Sequence, residues 1–200
     1  MWVFCLRFYK KPLKFVLIGG WAAYIWTKTH KSKDIDLVIE GFEDLSYLKK
    51  EYDLRKNDSL KKYEIKLEEI DIDVYAPFFS KLAIPPEDIQ SLSTTVEGIR
   101  VATPEALLVL KQGAEIDRSS SIKGEKDRID IMTLLLHSEV DFNAYRELLL
   151  KYNLNHFEER LRSMVANFKD TKHIALNPRE LKLRKKEIIE RLRKTTKNYS

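Results

Sequence analysis

With 200 residues, 44% of them hydrophobic and 34% charged, the chain can bury a real core in one large or two small domains. Both signs of charge are mixed, the formal net charge is +5, and no apolar run approaches the roughly 18 residues of a membrane span, so a soluble globular protein is expected. The single cysteine, Cys5, excludes an internal disulfide and suits a reducing interior, so the expected location is cytoplasmic.

The N-terminal stretch MWVFCLRFYKKPLKFV is apolar and basic, but its apolar part is short and no small-residue cleavage site follows. Trp2 to Tyr9 reads as a short helix that Pro12 ends. Phe15 to Ile18 is a buried strand, Gly19 and Gly20 mark its turn into a helix, and Trp21 to Trp26 is that helix. A basic connection, Lys28 to Lys33, leads to a second strand, Ile35 to Ile39. Gly41 marks a turn and Glu43 to Glu51 a helix. Lys61 to Leu67 and Ile70 to Tyr75 alternate as strands around Glu68-Glu69, an antiparallel hairpin.

The chemistry is concentrated where the second strand begins. Asp34 and Asp36 are two residues apart, so they share one face, while Ile35, Leu37 and Ile39 share the other. Two carboxylates side by side repel unless a cation sits between them, and hard divalent cations such as Mg²⁺ take carboxylate and phosphate oxygens. Gly19 and Gly20 have no side chains, so their N–H groups beside a helix N-terminus can approach an anion. In the hairpin, Asp71 and Asp73 likewise share a face.

A glycine pair at a strand end, thirteen intervening residues, then Asp-x-Asp in the context SKDIDLVIE resembles the signature of the DNA polymerase β-like nucleotidyltransferase superfamily. The resemblance implies an α/β (α+β) mixed sheet with flanking helices, an NTP substrate, and Mg²⁺ or Mn²⁺ held by Asp34, Asp36 and a third carboxylate on a neighbouring strand. The context DVYAPF resembles the ending seen in relatives and favours Asp73 over Asp71 for that third place. Ser32, with Gly19 and Gly20, is expected on the nucleotide side.

Pro77, Pro85 and Pro86 punctuate a connection, and Leu92 to Val96 and Ile99 to Ala102 flank Glu97-Gly98 as a second hairpin. From Thr103 every periodic segment is helical, which divides the chain into a catalytic domain, 1–102, and a helical domain, 103–200. Thr103 caps a helix that opens with Pro104 and runs to Asp117. Arg118 to Gly124 reads as a mobile loop. Further helices follow over Lys126 to His137, from Asp141 to Tyr152, from Asn155 to Phe168, and from Asn177-Pro178 to Lys194. TPEALLVLKQGAEIDR followed by KDRIDIMTLLL resembles the C-terminal motifs of AbiEii-type and related minimal nucleotidyltransferases. That resemblance implies that Lys111 neutralises a triphosphate, and that Asp127 or Asp130 orients Lys111 or contacts the nucleotide. The segment between Arg118 and Lys126 is longer than the pattern implies.

Residues 178–200 hold nine Lys or Arg and three Glu, a net +6 that leaves the rest of the chain at −1. Leu181, Ile188 and Leu192 fall on one face of the last helix, so Arg184, Lys185, Arg191 and Lys194 could meet an RNA backbone. The four histidines, 30, 137, 156 and 173, have no zinc spacing. The expectation is a two-metal nucleotidyltransferase acting on an RNA, protein or small-molecule hydroxyl, with a cognate antitoxin as the family-level partner. The alternative is a nucleotidyltransferase-fold protein that binds nucleotide or RNA without catalysis.

Overall fold

The computed structural model describes residues 13–194. Its elements are β1 (Phe15–Ile18), α1 (Gly19–Thr27), β2 (Ile35–Ile39), α2 (Phe42–Glu51), β3 (Leu54–Asn57), β4 (Lys62–Leu67) and β5 (Ile70–Tyr75). There follow a short α3 (Pro86–Ile89), β6 (Ser93–Val96), β7 (Ile99–Ala102), α4 (Pro104–Asp117), α5 (Ile122–His137), α6 (Phe142–Lys151), α7 (His156–Asn167) and α8 (Pro178–Lys194). The helix expected over Trp2 to Tyr9, with Cys5 and Pro12, lies outside the described residues.

The strands form one mixed sheet in the order β3-β4-β5-β2-β1-β7-β6. β1 runs antiparallel to β2, and β2 parallel to β5; the hairpins β4–β5 and β6–β7 form as their alternation predicts. The centre is covered on both faces. Val16 and Leu17 in β1, and Leu37, Val38 and Ile39 in β2, are all buried, as in sheets packed on both sides. The expected in-and-out alternation of β2 therefore survives only at its first residues, where Ile35 is buried and Asp36 half-buried.

Two elements escaped the sequence. β3 has one apolar residue in LRKN and no buried one; it exists because it pairs with β4 at the sheet edge. α3 is a single turn, too short to show a helical period. Two boundaries also move. α1 begins at Gly19, not at Trp21. α5 begins at Ile122, four residues before the expected Lys126, with the Ser121 side chain accepting from the Gly124 N–H. Ile122 is 86% exposed, so its apolarity carried no packing signal. Thr103 and Asp141 cap as expected, whereas Asn155 already has helical φ and ψ and makes no side-chain cap.

The helices after β7 join the rest of the fold through α1. α1 packs against both α4 and α5, and the Trp26 indole donates to the Ala102 carbonyl. One cluster of buried apolar residues runs from Val16 to Leu192. Leu181, Ile188 and Leu192 of α8 are buried, as their stripe predicts. Two of the basic side chains expected to face a partner are instead used by the fold. Lys185 donates to the carbonyls of Ala166 and Phe168 at the end of α7, and Arg191 donates to the Val140 carbonyl.

Candidate active site

The site grows from one register. β2 and β5 pair so that Asp36 stands directly beside Asp73, and β1 pairs with β2 so that Ile18 faces Asp36. The chain then leaves β1 at Gly19, hard against that carboxylate. Gly19 has φ +66, and a Cβ there would lie 2.0 Å from Asp36 Oδ2. No side chain fits that space, and the left-handed backbone favours glycine besides. A Cβ on Gly20 would lie 2.7 Å from that of Ser32. The glycine pair is thus fixed by its own chain, clasping Asp36 and Ser32, before any ligand is considered.

Asp34, Asp36, Asp73, Gly19, Gly20, Ser32, Lys111 and Asp127 all line one cavity of about 880 Å³. Asp71 does not. It is exposed and pairs in register with Lys66 on β4, away from that cavity. Period alone could not separate Asp71 from Asp73; the parallel pairing of β5 with β2 does.

The electrostatics of the strand ends are unbalanced. Burial pushes the Asp36 carboxyl up to about 6; Lys111 opposes the rise, and the carboxylates of Asp73 and Asp34 add to it. Burial also lifts Asp73 above the usual carboxylate range, although Lys62 works against it. Lys62 Nζ donates to Asp73 Oδ2 at 2.6 Å and lies 3.1 Å from Glu64 Oε1. Burial alone would lower Lys62, but hydrogen bonding to Asp73 keeps it above its ordinary value. The Tyr75 hydroxyl donates to Asp36 Oδ1 at 3.4 Å.

On the helical wall the charges are closed on one another. Lys111 is 7% exposed and donates to Asp130 at 2.6 Å and to Asp127 at 3.5 Å. Burial would lower Lys111, yet Asp130 and Asp127 hold it above the ordinary range. Arg118 grips Asp127 through two bonds, of 2.7 and 3.0 Å. Lys126 reaches across to Ser32 Oγ at 3.3 Å, linking α5 to the loop before β2.

Three members of this site were missed in the sequence. Lys62 shares a face with Glu64 in KKYEIKL, and Tyr75 shares one with Asp73, so strand period could have found both. Arg118 carried no signal, standing in a stretch read as a loop.

The donor set fits a hard divalent cation: three carboxylates meet at one cavity, and Asp36 is costly to ionise without a countercharge. Among the described residues, no three His, Cys, Asp or Glu side chains are gathered closely enough to grip an ion as they stand. Lys62 is bonded to one of the three.

No family model matches the chain, and no curated protein matches it. Solved structures do. The chain resembles the crystal structure of a "putative nucleotidyltransferase from H. pylori" at 15% identity, over 94% of this chain and 90% of that one, with a TM-score of 0.50. The fold is nucleotidyltransferase-like. An antigenic nucleotidyltransferase-like protein from Paracoccidioides brasiliensis also matches, at 18% identity over 87% of this chain and 94% of that one, TM-score 0.47. So does JHP933 from Helicobacter pylori, at 17% identity over 94% and 88%, TM-score 0.47. Identities this low speak to the fold and not to the substrate. No helix among the described residues is long and apolar enough to cross a membrane.

Proposed function

We propose that the chain transfers a nucleoside monophosphate from an NTP to an acceptor hydroxyl. The observation that carries this reading is the alignment of Asp36 with Asp73 on adjacent parallel strands, with Asp34, at a cavity whose opposite wall holds Lys111. Mg²⁺ or Mn²⁺ held by Asp34, Asp36 and Asp73 would supply Lewis acidity at the phosphate and make the attacking hydroxyl more acidic. The acceptor oxygen bonds to the α-phosphorus, the bond to the bridging oxygen breaks, and pyrophosphate leaves. Asp73 takes the hydroxyl proton. Lys111, oriented by Asp130 and Asp127, stabilises charge on the phosphates, and Gly19, Gly20 and Ser32 hold the nucleotide's approach.

RNA is the acceptor class we favour, because the positive excess is concentrated in the last helix, where Arg179, Lys182, Arg193 and Lys194 remain exposed. The test is incubation with each labelled NTP, Mg²⁺ or Mn²⁺, and total cellular RNA, beside the Asp36→Asn protein. Label appearing in RNA with the wild type alone supports the reading. NTP binding with no transfer to RNA, protein or small-molecule hydroxyls favours the non-catalytic alternative.

A further inference from the structure

Across three neighbouring strands the register sets three carboxylates abreast: Asp36 on β2, Asp73 on β5 and Glu64 on β4. Like charges directly opposite one another in a sheet destabilise it. One ammonium is bonded to two of them. Lys62 Nζ sits between the second and third, 2.6 Å from Asp73 and 3.1 Å from Glu64. Its side chain is 14% exposed and that of Asp73 19%, so this contact is sheltered, while Glu64 is 40% exposed and also receives a bond from Asn57. The contact with Asp73 uses the same carboxylate that the proposed activity assigns to the cation.

We infer that Lys62 is a resident counter-ion for Asp73, displaced toward Glu64 when a divalent cation takes that carboxylate. The inference rests on the proposed function, in that it takes Asp34, Asp36 and Asp73 to be cation ligands. Its physical content is competition. An ammonium 2.6 Å from an oxygen blocks a cation from that oxygen, by position and by charge. Displacement is inexpensive because the ammonium keeps one carboxylate: Glu64 is already within 3.1 Å, steadied by Asn57, and open to water. Lys62 is therefore a positioning residue. It keeps the carboxylate row folded without a cation and sets how tightly a cation binds.

Two substitutions should act with opposite signs on Mn²⁺ binding, measured by calorimetry and by the loss of the free-ion electron paramagnetic resonance signal, with no nucleotide present. Lys62→Met removes the competitor and keeps the stem's bulk; it should tighten Mn²⁺ binding about tenfold or more. Glu64→Gln removes the place Lys62 retreats to; it should weaken Mn²⁺ binding severalfold. In the double variant the Glu64 change should have little further effect, because no ammonium remains to retreat. A merely structural Lys62 would lower stability without tightening cation binding. If wild type binds Mn²⁺, Asp36→Asn abolishes that binding, and Lys62→Met binds no tighter than wild type, the counter-ion role is overturned while the site stands. If neither wild type nor Lys62→Met binds Mn²⁺, the metal-site reading fails and this inference with it.

Discussion

Two charge clusters face each other across one cavity, and they are built on opposite plans. On the helical wall, Lys111 and Arg118 meet Asp127 and Asp130: two cations, two carboxylates, every one bonded to another. On the sheet, Asp34, Asp36, Asp73 and Glu64 meet Lys62: four carboxylates and one ammonium. A closed cluster stabilises its own geometry and asks for nothing. An open one carries a charge that the fold answers only in part: Lys111 and Lys62 draw the Asp36 carboxyl down, yet burial and the neighbouring carboxylates still leave it at about 6. The helical cluster is a rigid setting for Lys111; the sheet cluster is where an added positive charge would relieve the most repulsion.

The largest effect should come from removing charge at the open cluster. Asp36→Asn keeps the side chain's size, and nucleotide transfer should fall at least about a hundredfold, measured with labelled NTP. Stability should move the other way. A carboxyl raised from 3.8 to about 6 in the fold contributes stability below pH 4 that is lost as pH rises through 6. The rise is worth at most roughly 3 kcal/mol, less for the share that solvent screens. Denaturant melts from pH 4 to pH 8 should show Asp36→Asn gaining on wild type across that interval, with Mg²⁺ absent. A constant difference would mean that Asp36 is not held out of its ordinary range.

The closed cluster should respond with the opposite sign. Asp130→Ala leaves the Lys111 ammonium buried with only the longer contact to Asp127, and breaking a buried pair by removing one partner costs about 3–5 kcal/mol. Unfolding in urea would measure it. A loss below about 1 kcal/mol would show that Lys111 finds water in the cavity and that the cluster is less closed than its bonds suggest.

The contrast between the clusters also explains what was legible in the sequence. The open cluster lies on strands, where a period of two and the spacing from Gly19 to Asp36 expose its logic. Thr103, Pro104 and Asp117 bounded α4, so Lys111 was on a recognisable helix. Arg118 and Ile122 were not legible, because an exposed isoleucine starts α5 and an arginine in a polar loop closes back on Asp127. β3 was hidden for a related reason: its strand character comes from β4 and not from its own residues. The clasp of Gly19 on Asp36 was visible only as a spacing; the cause, a 2.0 Å gap that no Cβ can enter, is tertiary.

That clasp gives a third, smaller effect. Gly19→Ala places a methyl where Asp36 stands, on a backbone at φ +66, and should cost about 2 kcal/mol by urea unfolding. Part of the cost is the clash and part is the backbone. In an Asp36→Ala background the two shortest contacts are removed and only the Cβ at 2.9 Å remains, so the Gly19 substitution should cost measurably less there. Equal costs in both backgrounds would assign the whole effect to backbone strain.

The smallest effect tests whether register, and not mere period, chooses the carboxylates. Asp71 and Asp73 are two residues apart on β5 and share a strand face. Asp73 stands beside Asp36 on β2; Asp71 pairs with Lys66 and is exposed. An exposed carboxylate opposite an exposed lysine contributes little, so Asp71→Asn should change stability by no more than about 0.5 kcal/mol. It should leave transfer and Mn²⁺ affinity at wild-type values, since nothing connects Asp71 to the cavity. Asp73→Asn should lower transfer while largely keeping NTP binding, and should weaken the 2.6 Å contact that holds Lys62 by removing its charge. A loss of transfer in Asp71→Asn with none in Asp73→Asn would place the working carboxylate one pleat earlier on β5. That outcome would separate the working carboxylate from the Asp36–Asp73 pair and from the cavity that the pair lines.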